Sequence, residues 1–396
     1  MKTYQFKKII LLSLLLGLTQ VSWAACDQTL SPGANLASVV SSAVAGSTIC
    51  LNNGNYGTTN FSGISKSNYV TVQSLTGLGA SISPQISNSK FLRFTNLTIS
   101  GATLSSSPSN IQITASTFTS GLLINMRGAS KANYPLNILI DGNTFSNLGP
   151  TMWEGRISVG DDNGAQPSMG VTISNNKIKD GCLSDGIQAI GGASGIQIGP
   201  GNVFSNIIQS GPVHCDSIQF YGSGVNNTIT GNYFTNVSVA LQHQGGTPSG
   251  TVFSNNIIDN VAQIQIGGTS GFVFENNTIR NLKDVFAVGP SSQPSRNTTF
   301  RNNILTGNGV GPDMSNITGT FSHQLCSNSS QCVGTNQIIG FPTFTGGTIP
   351  TTMEGYQLTS SSLGYKNGSD GQDRGYNSIT LPTPLDLAPP SNLKVN

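Results

Sequence analysis

Two short segments of this 396-residue chain concentrate groups able to move protons. Ser184-Asp185-Gly186-Ile187-Gln188 and His214-Cys215-Asp216-Ser217-Ile218-Gln219-Phe220-Tyr221 align at Asp-x-Ile-Gln. If the two lie on neighbouring strands of a parallel sheet, about 4.8 Å apart, Asp185 and Asp216 become neighbours, as do Gln188 and Gln219. Two carboxylates that close share a proton, bind a cation or pair with a base, and His214 is the base at hand. Asp185, Asp216 and His214 could therefore hold calcium or act as acid and base in sugar chemistry. The structural alternative is that both Asp side chains accept turn N–H groups at the start of their strands. Strict alternation from Ile218 points Asp216 inward, so an outward carboxylate requires the strand to begin at about Ser217.

Upstream, Glu154, Arg156, Asp161 and Asp162 gather beside a segment whose Ile157 aligns with Ile187, which turns Arg156 outward. β-Elimination on a uronate needs a cation to neutralise the carboxylate and a base to take the C5 proton. Arg156 with His214 or Tyr221 suits those roles. Hydrolysis would instead draw two carboxylates from Asp161, Asp162, Asp185 and Asp216, which are also the oxygen donors available to calcium. The bland alternative is an exposed loop with ordinary charges. Gln188, Gln219, Gln242 and Gln265 each follow an aliphatic residue, at Ile187, Ile218, Leu241 and Ile264. Alternation stacks these four amides outward on consecutive strands, with Gln244 and Tyr221 beside them. Such a strip can bind sugar hydroxyls, or simply form an amide ladder. His243 shares the inward parity of Leu241 and is expected to be packed.

Elements able to hold these residues emerge from a repeat. Asn143-Thr144-Phe145, Asn176-Lys177-Ile178, Asn202-Val203-Phe204, Asn232-Tyr233-Phe234, Asn256-Ile257-Ile258, Asn277-Thr278-Ile279 and Asn303-Ile304-Leu305 recur at intervals of 33, 26, 30, 24, 21 and 26 residues. Short alternating strands precede most of them, as at Val171–Ile173, Thr228–Thr230, Val252–Ser254, Phe272–Phe274 and Thr298–Phe300. An irregular period of this size predicts a solenoid whose coils differ in loop length. The 48 Gly, with only 9% charged residues, exclude a coiled coil, and the sparse Lys and Arg exclude a nucleic-acid partner.

This pattern resembles the right-handed parallel β-helix proteins of the pectate-lyase-like superfamily, over about residues 26 to 375. The resemblance implies an all-β solenoid acting on polysaccharide in a groove along one sheet, as a lyase, hydrolase, esterase or epimerase. Asp161-Asp162 is similar to one carboxylate pair of polygalacturonases, but their Gly-His-Gly and Arg-Ile-Lys are absent, as is the Asp-Pro-His-Asp of alginate epimerases. A lyase of an acidic glycan, with His214, Asp216, Asp185, Arg156 and Tyr221 at its centre, is the leading expectation. A paired-Asp glycoside hydrolase and a non-catalytic glycan-binding surface protein remain the alternatives.

The ends complete the reading. Lys2, Lys7 and Lys8 before an apolar run from Ile9 to Leu18, then Ser22-Trp23-Ala24, predict a secretory signal peptide over 1–24 and an exported product. Without those lysines 15 Lys and Arg face 16 Asp and Glu, so the formal +2 becomes about −1. No later stretch is long and apolar enough for a transmembrane helix, and a monomer is expected. Proximity pairs Cys26 with Cys50, Cys182 with Cys215 and Cys326 with Cys332, other pairings being open. Leu36, Val39, Val40, Ala43 and Val44 predict an amphipathic helix that caps the solenoid before a first strand near Ile49–Leu51. The β-helix domain is expected over 25–380, with 341–375 as closing turns and 381–396 as a Pro-rich flexible tail.

Overall fold

The computed structural model of the protein describes residues 25–125, 136–160, 169–211, 214–289 and 292–378. The expected signal peptide at 1–24, the expected tail at 381–396, and Asp161 and Asp162 all lie outside the described residues. Among the described residues, parallel strands stack coil upon coil into a 13-stranded and a 16-stranded sheet around one apolar interior. Inward positions carry Ile, Val, Leu and Phe, and the Phe rows pack ring on ring, with centroids 5.1 Å apart at Phe253–Phe274 and 5.0 Å at Phe274–Phe300. No helix among the described residues is long and apolar enough to cross a membrane.

The repeated Asn residues line one inner corner, all fully buried. Asn143, Asn176, Asn232, Asn256 and Asn277 each direct their backbone N–H at the Oδ1 of the next, at 2.9 Å, while their Nδ2 groups bond carbonyls one coil back. The turn before each ladder position needs a left-handed residue, supplied by Gly142, Gly201 and Gly231 or by Asn175, Asn255, Asn276 and Asn302. The ladder thus satisfies turn groups that no strand can reach. Earlier coils use serine in the same role, Ser89 Oγ accepting from Ile64 N and Ser116 Oγ from Leu97 N, and Gln324 ends the row by accepting from Asn303 N at 3.1 Å.

One sheet divides and rejoins. The long strands Thr117–Asn125 and Tyr233–Gln244 each run across two faces. Between them the path is broken into pairs, Thr144–Ser146 with Gly155–Gly160, Lys177–Lys179 with Asp185–Ile190, and Val203–Ser205 with Asp216–Tyr221. Segments inserted at these three breaks carry Glu154, Cys182, His214 and Cys215.

The helix Leu36–Ser42 covers the N-terminal end with Leu36 and Val40 buried, while Val44 lies beyond it, 77% exposed. The strand Gln28–Leu30 precedes the helix and pairs with Thr48–Leu51, so the expected first strand is the second. All three expected disulfides are formed: Cys26–Cys50, Cys182–Cys215 and Cys326–Cys332. The segment expected as closing turns does something else. Residues 341–377 run back along the flank as a strap: Phe344, Tyr356, Leu358 and Tyr376 form a second core with Tyr233, Ile257, Ile304 and Leu325. Buried Arg374 bonds Gln324 O, and Asn377 N reaches Asn255 Oδ1.

Candidate active site

The registers Ile157↔Ile187, Ile187↔Ile218 and Ile218↔Leu241 stack the Asp-x-Ile-Gln segments as their alignment implied. The strand at Asp216 begins on that residue rather than on Ser217, yet its carboxylate is on the side of Gln219, whose amide donates to Oδ2 at 3.3 Å. Alternation breaks at the position in between. A Cβ on Gly186 would lie 3.1 Å from Ile178 Cγ2 and 3.3 Å from the Phe204 ring, so that position faces the core, and Ile187 after it is also buried. Two consecutive inward positions leave Asp185 and Gln188 sharing the outer face.

Arg156 occupies the same row and shares its fate. Its side chain turns inward, fully buried, and donates to the carbonyls of Lys179, Asp180 and Gly181 at 2.5, 2.8 and 2.9 Å. Burial lowers its pKa to about 10, against the charges of Asp180 and Asp185. The expected outward cation is therefore a structural clamp on a turn.

Asp185, Asp216 and His214 do converge, with ligand atoms within 4.8 Å of one another. Asp185 Oδ1 accepts the Asp216 N–H at 2.7 Å. His214 Nδ1 lies 4.0 Å from Asp185 Oδ1 and 3.8 Å from Asp216 Oδ2, within reach of their charge but beyond a hydrogen bond. The carboxylates are 1% and 0% exposed, the imidazole 42%. Burial drives both carboxyl pKa values up to about 7, helped at Asp185 by the charge of Asp216 and at both by that of Glu154. Near neutral pH both carboxyls are thus partly protonated beneath a half-exposed base.

Calcium takes about six to eight oxygens. Here Asp185 Oδ1 and Asp216 Oδ2 already accept the bonds above, and the Gln242 amide, turned to donate, lies 3.0 and 2.8 Å from the Asp216 oxygens. Asp185 Oδ2 is left buried without a partner, and the third group is an imidazole. The described donors alone are too few oxygens for calcium, and Asp161 and Asp162, the other expected donors, lie outside the described residues.

The four Gln residues stand in register, Gln188↔Gln219↔Gln242↔Gln265. Gln188 and Gln219 are buried and bonded to each other at 2.5 Å, so this end of the strip works as an amide ladder. Gln242 donates to Asp216, and Gln265 bonds Gln263. Gln244 and Tyr221, paired across the sheet and exposed, face a groove of about 800 Å³. Gln188, Glu154, Trp153 and Met152 complete much of its wall. His214 is not on that wall; Gln219 links the groove to the dyad, bonding Gln188 and Gln244 on one side and Asp216 on the other. His243 is packed as expected, between the carbonyls of Gly267 and Gly222.

The sequence reading undervalued Glu154 and missed Trp153. Glu154 exchanges two bonds with Gln188, its N–H to Oε1 at 2.9 Å and its Oε2 from Nε2 at 3.1 Å. The signal was available: aligned on isoleucine, Glu154 stands one residue before the Asp185 position. Trp153 sits in an insertion with no periodicity, so nothing in the pattern aimed it at the groove.

A family model described as right handed beta helix region matches residues 157–329. No curated protein sequence matches the chain. Among solved structures, a variant of the PL6 family alginate lyase AlyGC is similar at 13% identity and TM-score 0.50, over 89% of this chain and 59% of that one. This chain thus spans about three fifths of that enzyme's length. A PL6 family polysaccharide lyase from Pseudopedobacter saltans is 14% identical, with TM-score 0.48, over 89% of this chain and 100% of the other. A pectate lyase is 12% identical, with TM-score 0.43, over 89% and 96%. Stacked parallel coils, the buried Asn ladder, the family-model match and the AlyGC likeness agree on the fold: this chain is a right-handed parallel β-helix.

Proposed function

We propose that this protein is an exported polysaccharide lyase that cleaves an acidic glycan by β-elimination beside the Asp185–Asp216 pair. One observation carries the reading: a half-exposed imidazole turns Nδ1 toward two buried carboxylates, 4.0 and 3.8 Å away. Nε2 then points away from the pair, free to take the C5 proton of a uronate, and the carboxylates stabilise the imidazolium that results. Tyr221 is the hydroxyl in the groove beyond Gln219, where it can bond a neighbouring sugar unit of the bound glycan. Gln244 accepts from Gln219 through Oε1, leaving its amide N–H groups to bond the uronate carboxylate where Arg156 cannot. Three disulfides support export to an oxidising compartment.

Hydrolysis is the second reading, favoured by a specific feature. Among the described residues no Lys or Arg lines the groove, whereas Glu154 does, which suits a neutral glycan better than a polyanion. Ultraviolet absorbance of the 4,5-unsaturated product on pectate, alginate, glucuronan and glycosaminoglycans, with and without chelator, separates the two. The expected result is a rising signal on one substrate, unchanged by chelator, and a loss of about 100-fold or more in His214→Ala. Reducing ends without absorbance would establish hydrolysis instead; full activity in His214→Ala would remove the base.

A further inference from the structure

We propose that a cavity under the strap is a second carbohydrate site, which holds one pyranose unit of a glycan against Phe341. The cavity measures about 490 Å³, within the ~300–1,000 Å³ range of small-molecule sites. Arg280, Asn281 and Thr306 line it from the coils, and Phe341, Thr343 and Thr348 from the strap. It lies on the limb of the strands Thr278–Ala287 and Ile304–Thr306, two coils beyond the groove and on the face that the divided sheet separates from it.

The chemistry of the walls selects the occupant. Phe341 is 68% exposed, an unusual position for a Phe, and offers a bare ring face to the C–H face of a sugar. Also in the lining, the Arg280 side chain is 15% exposed, with Nη2 on Asp259 Oδ2 at 2.5 Å and Nε buried without a partner. Asp259 is fully engaged, because Tyr356 Oη also donates to Oδ2 and Asn281 Nδ2 approaches Oδ1 at 3.4 Å. The guanidinium charge is therefore balanced inside the protein, and what remains for a ligand is N–H and hydroxyl hydrogen bonding beside an aromatic ring. A hydroxyl-rich ring matches that set; a phosphate, which draws on net positive charge, does not. No free carboxylate, imidazole or thiol lines the cavity among the described residues, so the site binds without cleaving. A polymer held on both faces gains affinity that a short oligosaccharide cannot.

The inference does not depend on which reaction the groove performs. Affinity electrophoresis of the intact chain through gels containing alginate, pectate or neutral galactan tests it, with Phe341→Ala, Phe341→Trp and Thr348→Val beside the parent. On the polysaccharide that retards the parent, Phe341→Ala should weaken binding about fivefold and Phe341→Trp should restore it. Turnover of short oligosaccharides by Phe341→Ala should stay at the parent level. Equal retardation of parent and Phe341→Ala, or no retardation by any gel, would overturn the second site. A parallel loss of short-substrate turnover would assign Phe341 to the groove and overturn it equally.

Discussion

At the scale of single residues, burial decides what each ionisable group can do. Asp185 and Asp216 titrate near 7 because they are enclosed, not because of their type. Both pKa values lie above the unfolded value of 3.8, so between about pH 4 and 7 the native state holds more protons than the unfolded chain. Stability should therefore fall as pH rises through that window, by an amount on the order of a few kcal/mol for the pair, and level off above it. Asp185→Asn should flatten that fall and raise the melting temperature at pH 8; thermal melts across pH would show it, and an unchanged slope would refute the raised carboxyl pKa. Arg156→Met should cost about 3 kcal/mol or more by orphaning turn carbonyls, while leaving kcat of the folded protein intact. Lost turnover at unchanged stability would return Arg156 to catalysis. The sequence showed which groups were near one another but not which way they faced. A single break in alternation at Gly186 placed the carboxylates outward, and the same row took Arg156 inward.

At the scale of the element, the Asn ladder was legible because one side chain does one job on every coil from Asn143 to Asn303. The earlier coils were not, since serine at 89 and 116 does the same job without standing out in a Ser-rich stretch. Asn256→Ala should leave the Asn232 N–H and the Ile229 carbonyl unsatisfied and cost about 2–4 kcal/mol in denaturant titrations, with Asn256→Ser recovering part. Equal stability of Ala and Ser variants would show that the acceptor does not matter. The Cys182–Cys215 bridge joins two of the insertions that divide the sheet, and His214 immediately precedes its second cysteine. Replacing both cysteines by serine should lower stability by about 3 kcal/mol and lower turnover further than the unfolded fraction explains, as read by comparing activity with circular dichroism. Loss of activity strictly in step with unfolding would reduce the bridge to a staple.

At the scale of the whole molecule, the solenoid could be read from its period, whereas the strap could not. Its buried residues, Phe344, Tyr356, Leu358, Arg374 and Tyr376, are separated by irregular Gly, Thr and Ser turns, so no periodicity reports that they are inside. The groove walls were equally silent, because insertions obey no repeat. The strap also sets an order of events. Coils can stack on one another as they emerge, each offering its edge to the next, but Tyr376 and Asn377 bind Thr278 and Asn255, laid down about a hundred residues earlier. The flank row of Tyr233, Ile257 and Ile304 stays open to water until that late return, and any chain interrupted beforehand carries the exposed stripe as a mark. Closure of the strap is thus the step that takes this row out of water, since the coils alone leave it bare.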